Sequence, residues 1–204
     1  MAKSTGDKNT PSALEQAGVE MRDFRKATMS LEELRNTSIV HLHSLLDQPF
    51  RVNAPFDLPA GTGSCSGDDP AVLCLRPGEW LLVSESTPAR ALLESLETLI
   101  DPEQTAALNA SDGLAVFRLS GPGAPWLLGK LSCLDFIAGK NHGAHCARTK
   151  MGHMAVVVHY HQSHAGQFVF DLLFDRSFAK YLWSLLLESA DHAEELTINH
   201  GDAA

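Results

Sequence analysis

Residues 109–135, NASDGLAVFRLSGPGAPWLLGKLSCLD, decide how the rest of this chain is read. Asn109 to Gly113 carries turn chemistry, because Ser, Asp and Gly favour a tight reversal. The apolar residues then alternate. Ala115, Phe117 and Leu119 fall on one face and Leu114, Val116 and Arg118 on the other, which predicts a strand. Ser120-Gly121-Pro122 predicts a helix start, with Ser or Gly as N-cap and Pro near the first helical position. Leu127, Leu128 and Leu131 form the apolar side of that helix, and Leu134-Asp135-Phe136 closes the unit. Turn, strand, capped helix and acidic exit make a folding unit without a chemistry of its own.

On the C-terminal side, residues 137–147 read as a Gly/His loop and Met151 to Tyr160 as a long strand. Gln167 to Phe174 is its hairpin partner across a turn at Gln162 to Gly166. Asp175 is positioned to cap a helix through about Ser189, with Phe178, Leu182, Leu185 and Leu186 inward. Leu196 to Ile198 reads as a last strand. On the N-terminal side, Ile39 to Leu46 is a candidate strand, residues 54–70 a loop, and Val72–Leu75 with Trp80–Ser84 a hairpin. Thr87-Pro88 then opens a helix that Asp101-Pro102 closes. Residues 1–12 are small and polar. Ala13 to Leu34 has weak helical patterning, with a capping-box form at Ser30 and Glu33. The expected division is therefore an N-terminal arm over 1–36, one globular domain over 37–198 and a tail over 199–204. From residue 112 the order is strand, helix, strand, strand, helix, strand. That predicts an α+β fold, an antiparallel sheet with helices on one face and split βαβ (ferredoxin-like) elements. The hairpin-plus-helix at 72–100 echoes the one at 151–189, which suggests a duplicated architecture.

With 204 residues, 44% of them hydrophobic, the chain is long enough for one real core. It has no apolar run of membrane-spanning length and no apolar leader, so no membrane partner and a cytoplasmic location are expected. The formal charge of -9 argues against a nucleic-acid partner, which requires a basic footprint. Cys65, Cys74, Cys133 and Cys146 form no Cys-x-x-Cys pair and read as reduced, mostly buried thiols.

No constellation of reactive residues is complete. His153, His159, His161 and His164 crowd one hairpin, with His142 and His145 upstream. Three neutral imidazoles would suit zinc or copper, but no Cys or carboxylate stands at a spacing that completes a site. Ser84, Ser111 and Ser120 lie in turns outside any Gly-x-Ser-x-Gly. Cys146 beside His145 reads as structural, since sequence neighbours rarely face each other. Gly121-Pro122-Gly123 is read as helix capping and not as an anion site. Asp135 and Asp171 are the candidate acid–base pair, but Asp135 is expected to cap a loop and Asp171 to face solvent. Arg51, Arg118, Arg148 and Arg176 stand in otherwise well-patterned segments. Arg118, which interrupts an apolar face, is expected at an interface or paired with an acid. No residue is assigned to catalysis, to a cofactor or to a metal.

Five motifs fall in order: Phe50-Arg51-Val52-Asn53-Ala54-Pro55; Arg76 to Leu82; Leu119-Ser120-Gly121-Pro122 with Leu134-Asp135; His145 to Thr149; and Phe170-Asp171-Leu172 with Arg176 to Trp183. Together the chain resembles the gamma subunit of heterotetrameric sarcosine oxidase over roughly residues 37–190. The resemblance implies a fold like the folate-binding domain of aminomethyltransferases. It also implies a non-catalytic, structural role beside alpha, beta and delta subunits in a complex that oxidatively demethylates sarcosine or a related N-methyl amino acid. FAD, FMN, NAD and tetrahydrofolate would sit on the large subunits, with no cofactor on this chain. A stand-alone tetrahydrofolate-dependent one-carbon transferase is the other reading. Asp135 then matches the folate enzymes' aspartate, while His164-Ala165-Gly166-Gln167 stands where their pterin-reading glutamate would be.

Overall fold

The alternation at 114–120 is realised as a strand at the heart of a sheet, and the chain is layered around it. The structure is a computed structural model that describes residues 11–20, 23–26, 28–45, 56–136, 145–162 and 168–201. In chain order the elements are α1 (Ala13–Gln16), β1 (Asp23–Lys26), β2 (Met29–Leu34), β3 (Ser38–Ser44), β4 (Cys65–Ser66), β5 (Ala71–Arg76), β6 (Glu79–Ser84) and α2 (Ala89–Glu97). They continue with β7 (Thr105–Asn109), β8 (Leu114–Ser120), α3 (Ala124–Leu131), β9 (His145–Met151), β10 (Met154–Gln162), β11 (Phe168–Asp175) and α4 (Ala179–Gly201). A six-stranded sheet has the order β1-β2-β8-β11-β10-β9, and a five-stranded sheet the order β4-β5-β6-β3-β7.

Strand periodicity explains the layering, because successive side chains point to opposite faces. Ala115, Phe117 and Leu119 of β8, Val156, Val158 and Tyr160 of β10, and Phe170, Leu172 and Phe174 of β11 pack against α1, α3 and α4. The opposite parity, Val116, Cys146, Val157 and Leu173, meets Ile39, Leu73, Leu81 and Val83 of the other sheet. The outer face of that second sheet, Val40, Leu42, Val72, Trp80 and Leu82, is covered by α2 through Leu92 and Leu96. The result is four layers, helices–sheet–sheet–helix, of the expected α+β class with helices on one face of each sheet.

The duplication shows in the topology. Reading β9-β10-β11-β8-β2 beside β4-β5-β6-β3-β7, corresponding strands enter in the same chain order except the last. In the first half β7 follows α2. In the second half the matching place is held by β2, from the N-terminal side. That corrects the expected helix at Ser30–Glu33, which is strand, with Met29 and Leu31 buried and Glu32 exposed. Leu196–Ile198, expected as a strand, continues α4, since the edge of β8 is already paired to β2. The division expected at residue 37 falls at the crossing between sheets. Residues before it belong to the core: Ala13 and Leu14 of α1 are buried with Met29 and Leu31. The capping box sits instead at Ser12 and Glu15, while Glu33 accepts the N–H groups of Ala13 and Leu14.

A strand absent from the sequence reading, β9, begins at His145, inside the expected loop. Every pairing in this half is antiparallel; β8 and β10 run parallel with β11 between them, the expected split βαβ arrangement, and β9 adds one more strand outside β10. α3 is capped by Gly123, with Gly121 at φ 110 letting the Thr28 carbonyl approach: a Cβ there would lie 2.5 Å from that oxygen. Expectations on residues 1–10, on Phe50 to Pro55 with Arg51, on residues 137–144 with His142, on the turn through His164 to Gln167 and on the 202–204 tail lie outside the described residues.

Candidate functional site

The charged side chains that interrupt apolar strands collect between the two sheets. Arg118 of β8, His159 and His161 of β10 and Asp171 of β11 share the face that carries Val116, Val157 and Leu173. Arg118 and Asp171 are register partners and form a two-pronged pair, Nε–Oδ1 at 2.7 Å and Nη2–Oδ2 at 2.8 Å. His161 Nε2 lies 3.1 Å from Asp171 Oδ2 and its ring stacks on His159. Arg118 Nη2 also reaches Glu85, beyond the end of β6, at 2.9 Å. A single guanidinium thus ties one sheet to the other.

Asp171 is buried, which corrects its expected solvent exposure. Register places it opposite Arg118 inside the sandwich. Burial pushes its carboxyl upward, but hydrogen bonds from Arg118 and His161 outweigh that and hold it at about 2. Burial also brings His159 down to about 4, helped by the neighbouring His161, so its ring is neutral at physiological pH. The ligand atoms of His159, His161 and Asp171 lie within 4.8 Å of one another. A metal cation among them would sit against Arg118, whose two prongs already occupy both carboxylate oxygens. The donor set fits an ion pair better than a metal centre.

A second cluster gives the same result. Glu79 of β6 is buried, and Arg148 Nη2 of β9 reaches its Oε1 at 2.6 Å across the sheets. Arg76 binds the other oxygen, and His41 Nε2 lies 3.2 Å from Oε1. Burial raises the Glu79 carboxyl, and the bonds from Arg76 and Arg148 overcome it and bring it to about 2. Glu79 was not singled out from the sequence. A lone acid opening an otherwise apolar strand after a Pro-Gly turn was the available signal.

The remaining candidates do not converge on these clusters. Ser84 Oγ accepts the Thr87 N–H, Ser111 Oγ meets the Ile39 backbone, and Ser120 Oγ pairs with Ser30 Oγ. His145 and Cys146 point to opposite faces of β9, as read from the sequence: His145 packs on Tyr160 and Cys146 enters the inter-sheet core. Arg176 binds Gln16 at the surface, and His153 lies exposed in the β9–β10 turn. A polar groove of about 400 Å³ beside α2 is lined by Ser111 and Arg176 alone among the candidates.

Asp135 lies elsewhere, on the helix side of the six-stranded sheet. It is exposed at the rim of a cleft of about 230 Å³ walled by Leu134, Phe136, His145, Ala147, Val158 and Tyr160. Tyr160 stacks obliquely on His145 and on Phe170, at centroid distances of 4.7 and 5.1 Å. A flat, partly apolar ring suits such walls. Asp135 and Asp171 stand on opposite sides of the sheet, so the candidate acid–base pair is not assembled.

A family model described as "Sarcosine oxidase, gamma subunit family" matches residues 50–193. Sarcosine oxidase subunit gamma of Corynebacterium sp. (strain U-96) is 37% identical over 94 residues, which are 45% of this chain and 44% of that protein. The matched stretch thus spans less than half of that relative. Among solved structures, a chain of the heterotetrameric sarcosine oxidase from Corynebacterium sp. U-96, in complex with pyrrole 2-carboxylate, superposes with a TM-score of 0.72 at 23% identity. The superposition covers 90% of this chain and 96% of that one. Glycine cleavage system aminomethyltransferase T from Bartonella henselae superposes with a TM-score of 0.53 at 15% identity, covering 79% of this chain and 46% of that one. At these identities the two structures establish the folate-domain-like fold.

Proposed function

Because this chain belongs to the sarcosine oxidase gamma subunit family, we propose that it is the gamma subunit of a heterotetrameric, flavin-dependent sarcosine oxidase, with a structural and not a catalytic part. The match over residues 50–193, which takes in most of both sheets, carries this reading. The chemistry of the site agrees with it. Asp171 and Glu79, the buried acids of the inter-sheet layer, are held ionised by arginines, Asp171 within its own sheet and Glu79 across the two, which leaves them in structural ion pairs and poor proton carriers at neutral pH. In this proposal alpha, beta and delta subunits complete the complex in the cytoplasm, and FAD, FMN, NAD and tetrahydrofolate are held by those partners. No helix among the described residues is long and apolar enough to cross a membrane.

Co-expression with the neighbouring flavoprotein subunits tests the assignment. The chain should elute with them in fixed stoichiometry, and the complex should oxidise sarcosine faster than other N-methyl amines. Elution as a free monomer while the flavoproteins assemble without it would refute the subunit role. Faster turnover of another N-methyl amino acid would move the complex to a related oxidase or dehydrogenase.

The aromatic cleft with Asp135 at its rim favours a second reading, a tetrahydrofolate-dependent one-carbon transferase acting alone. Calorimetry separates the two. Micromolar tetrahydrofolate binding by the isolated chain, lost in Asp135→Ala, would support the second reading, and absence of heat at millimolar folate would exclude it.

A further inference from the structure

Two cysteines meet where the outer strands of the two sheets meet. β4 is the edge of one sheet and β9 the edge of the other. Their main chains are joined: Ser64 bridges His145, and the Cys146 N–H donates to the Gly63 carbonyl at 2.8 Å. Gly63, at φ 85, makes the approach possible, since a Cβ there would stand 3.0 Å from the Cys146 carbonyl oxygen. At this seam half-buried Cys65 packs against the apolar cluster that holds buried Cys146, whose Sγ faces the carbonyls of Cys74 and Ser64, the residue before Cys65, at 3.5 and 4.0 Å. The other thiols are placed differently. Cys74 turns its Sγ toward the Arg76 carbonyl, and Cys133 is exposed.

We propose that Cys65 and Cys146 form a reversible disulfide that staples β4 to β9 and so locks one sheet edge to the other. A disulfide needs its two Cβ atoms about 3.8 Å apart. β4 is only two residues long, at a sheet edge, and is the element able to shift and close the pair. The neighbouring Cys65 thiol lowers the Cys146 pKa more than burial raises it, while the neighbouring Cys146 and burial push Cys65 up. Cys146 is therefore the sulfur that ionises first. With a peroxide as oxidant, the Cys146 thiolate attacks one oxygen, the O–O bond breaks, and a sulfenic acid forms as the other oxygen leaves as water or an alcohol. The Cys65 sulfur then attacks the sulfenic sulfur and expels water. Two thiols lose two electrons and two protons in all, and the peroxide gains them. A thiol reductant reverses the change by exchange. The staple has a neighbour of interest, because β9 also carries His145 and Ala147 into the wall of the Asp135 cleft.

The test uses the full chain carrying Cys133→Ser, so that an exposed thiol cannot join two molecules, with hydrogen peroxide as the probe. Of the three remaining thiols, two should disappear and return with dithiothreitol. Peptide mapping without reduction should find the peptides of Cys65 and Cys146 joined. Adding Cys65→Ser, a half-buried and conservative change, should abolish the joined peptide and leave a sulfenic acid on Cys146 that dimedone traps. Three thiols surviving a peroxide dose that oxidises free cysteine would overturn the proposal. So would a loss of thiols to sulfinic acid with no joined peptide.

Discussion

Arg118 shows how one residue can be half legible. An arginine on an apolar strand face must find a partner, and that follows from the cost of burying a lone charge. Which acid answers it depends on register, and Asp171 stands opposite only because β11 pairs with β8. Arg118→Met should leave buried Asp171 with His161 in place of its guanidinium partner, at a cost of ~3–5 kcal/mol. Adding Asp171→Leu should recover much of that, with urea unfolding as the measurement, and equal losses in both variants would argue against the pair. His159 makes a prediction on pH. Its folded pKa of about 4 lies below the ~6.5 of an unfolded histidine. Below pH ~6.5 the unfolded chain takes up a proton that the folded chain refuses. Its contribution is thus complete above pH ~6.5 and lost as pH falls toward 4, on the order of 3 kcal/mol. Stability measured from pH 7 to 4.5 should fall less steeply in His159→Gln than in the parent, and parallel curves would exclude His159 as the source. Asp171 and Glu79 have depressed values, so their contribution persists to about pH 4 and is lost only below it.

At the scale of elements, the central unit was legible because strand alternation and helix spacing agree over many residues. β5, β6, α2 and β10 follow the same logic. β2 was not, since six residues satisfy a capping box and an alternation equally well. The deciding fact is the open edge of β8, which no local pattern reveals. β9 was missed for a related reason: HCARTKM buries only Cys146 and Met151, and its alternation is weak. If β2 is integral, deleting residues 1–36 should strip the β8 edge and expose Phe117 and Leu119. The truncated chain should then be insoluble or lack native near-ultraviolet dichroism. A soluble truncation with unchanged thermal stability would restore the picture of an independent arm. Gly121→Ala should destabilise by about 2 kcal/mol, because the added carbon meets the Thr28 backbone at a positive φ. Thermal unfolding of that variant is the check.

For the molecule as a whole, the two sheets share one apolar layer and two sets of cross-sheet charges. Neither sheet covers that face by itself, so the chain should unfold in one calorimetric transition with matching calorimetric and van't Hoff enthalpies. Two separated transitions would mean that the sheets are independent units. The layering also explains why acids that look like solvent-facing residues in the sequence behave as internal ties: the second sheet removes the water from that face.

The sequence by itself determined the α+β class, the central strand–helix unit, the hairpins, the histidine-rich strand and the ordered motifs shared with the gamma subunit family. Each of these depends on periodicity or residue identity within a short window. Only the tertiary structure decided that there are two sheets face to face, that β2 closes the second repeat from the N-terminal side, and that Asp171 and Glu79 are buried ties. It also placed Cys65 beside Cys146. These depend on which strand edges meet, a choice made by contacts far apart in the chain, where the free energy of pairing and burial overrides what either segment prefers alone.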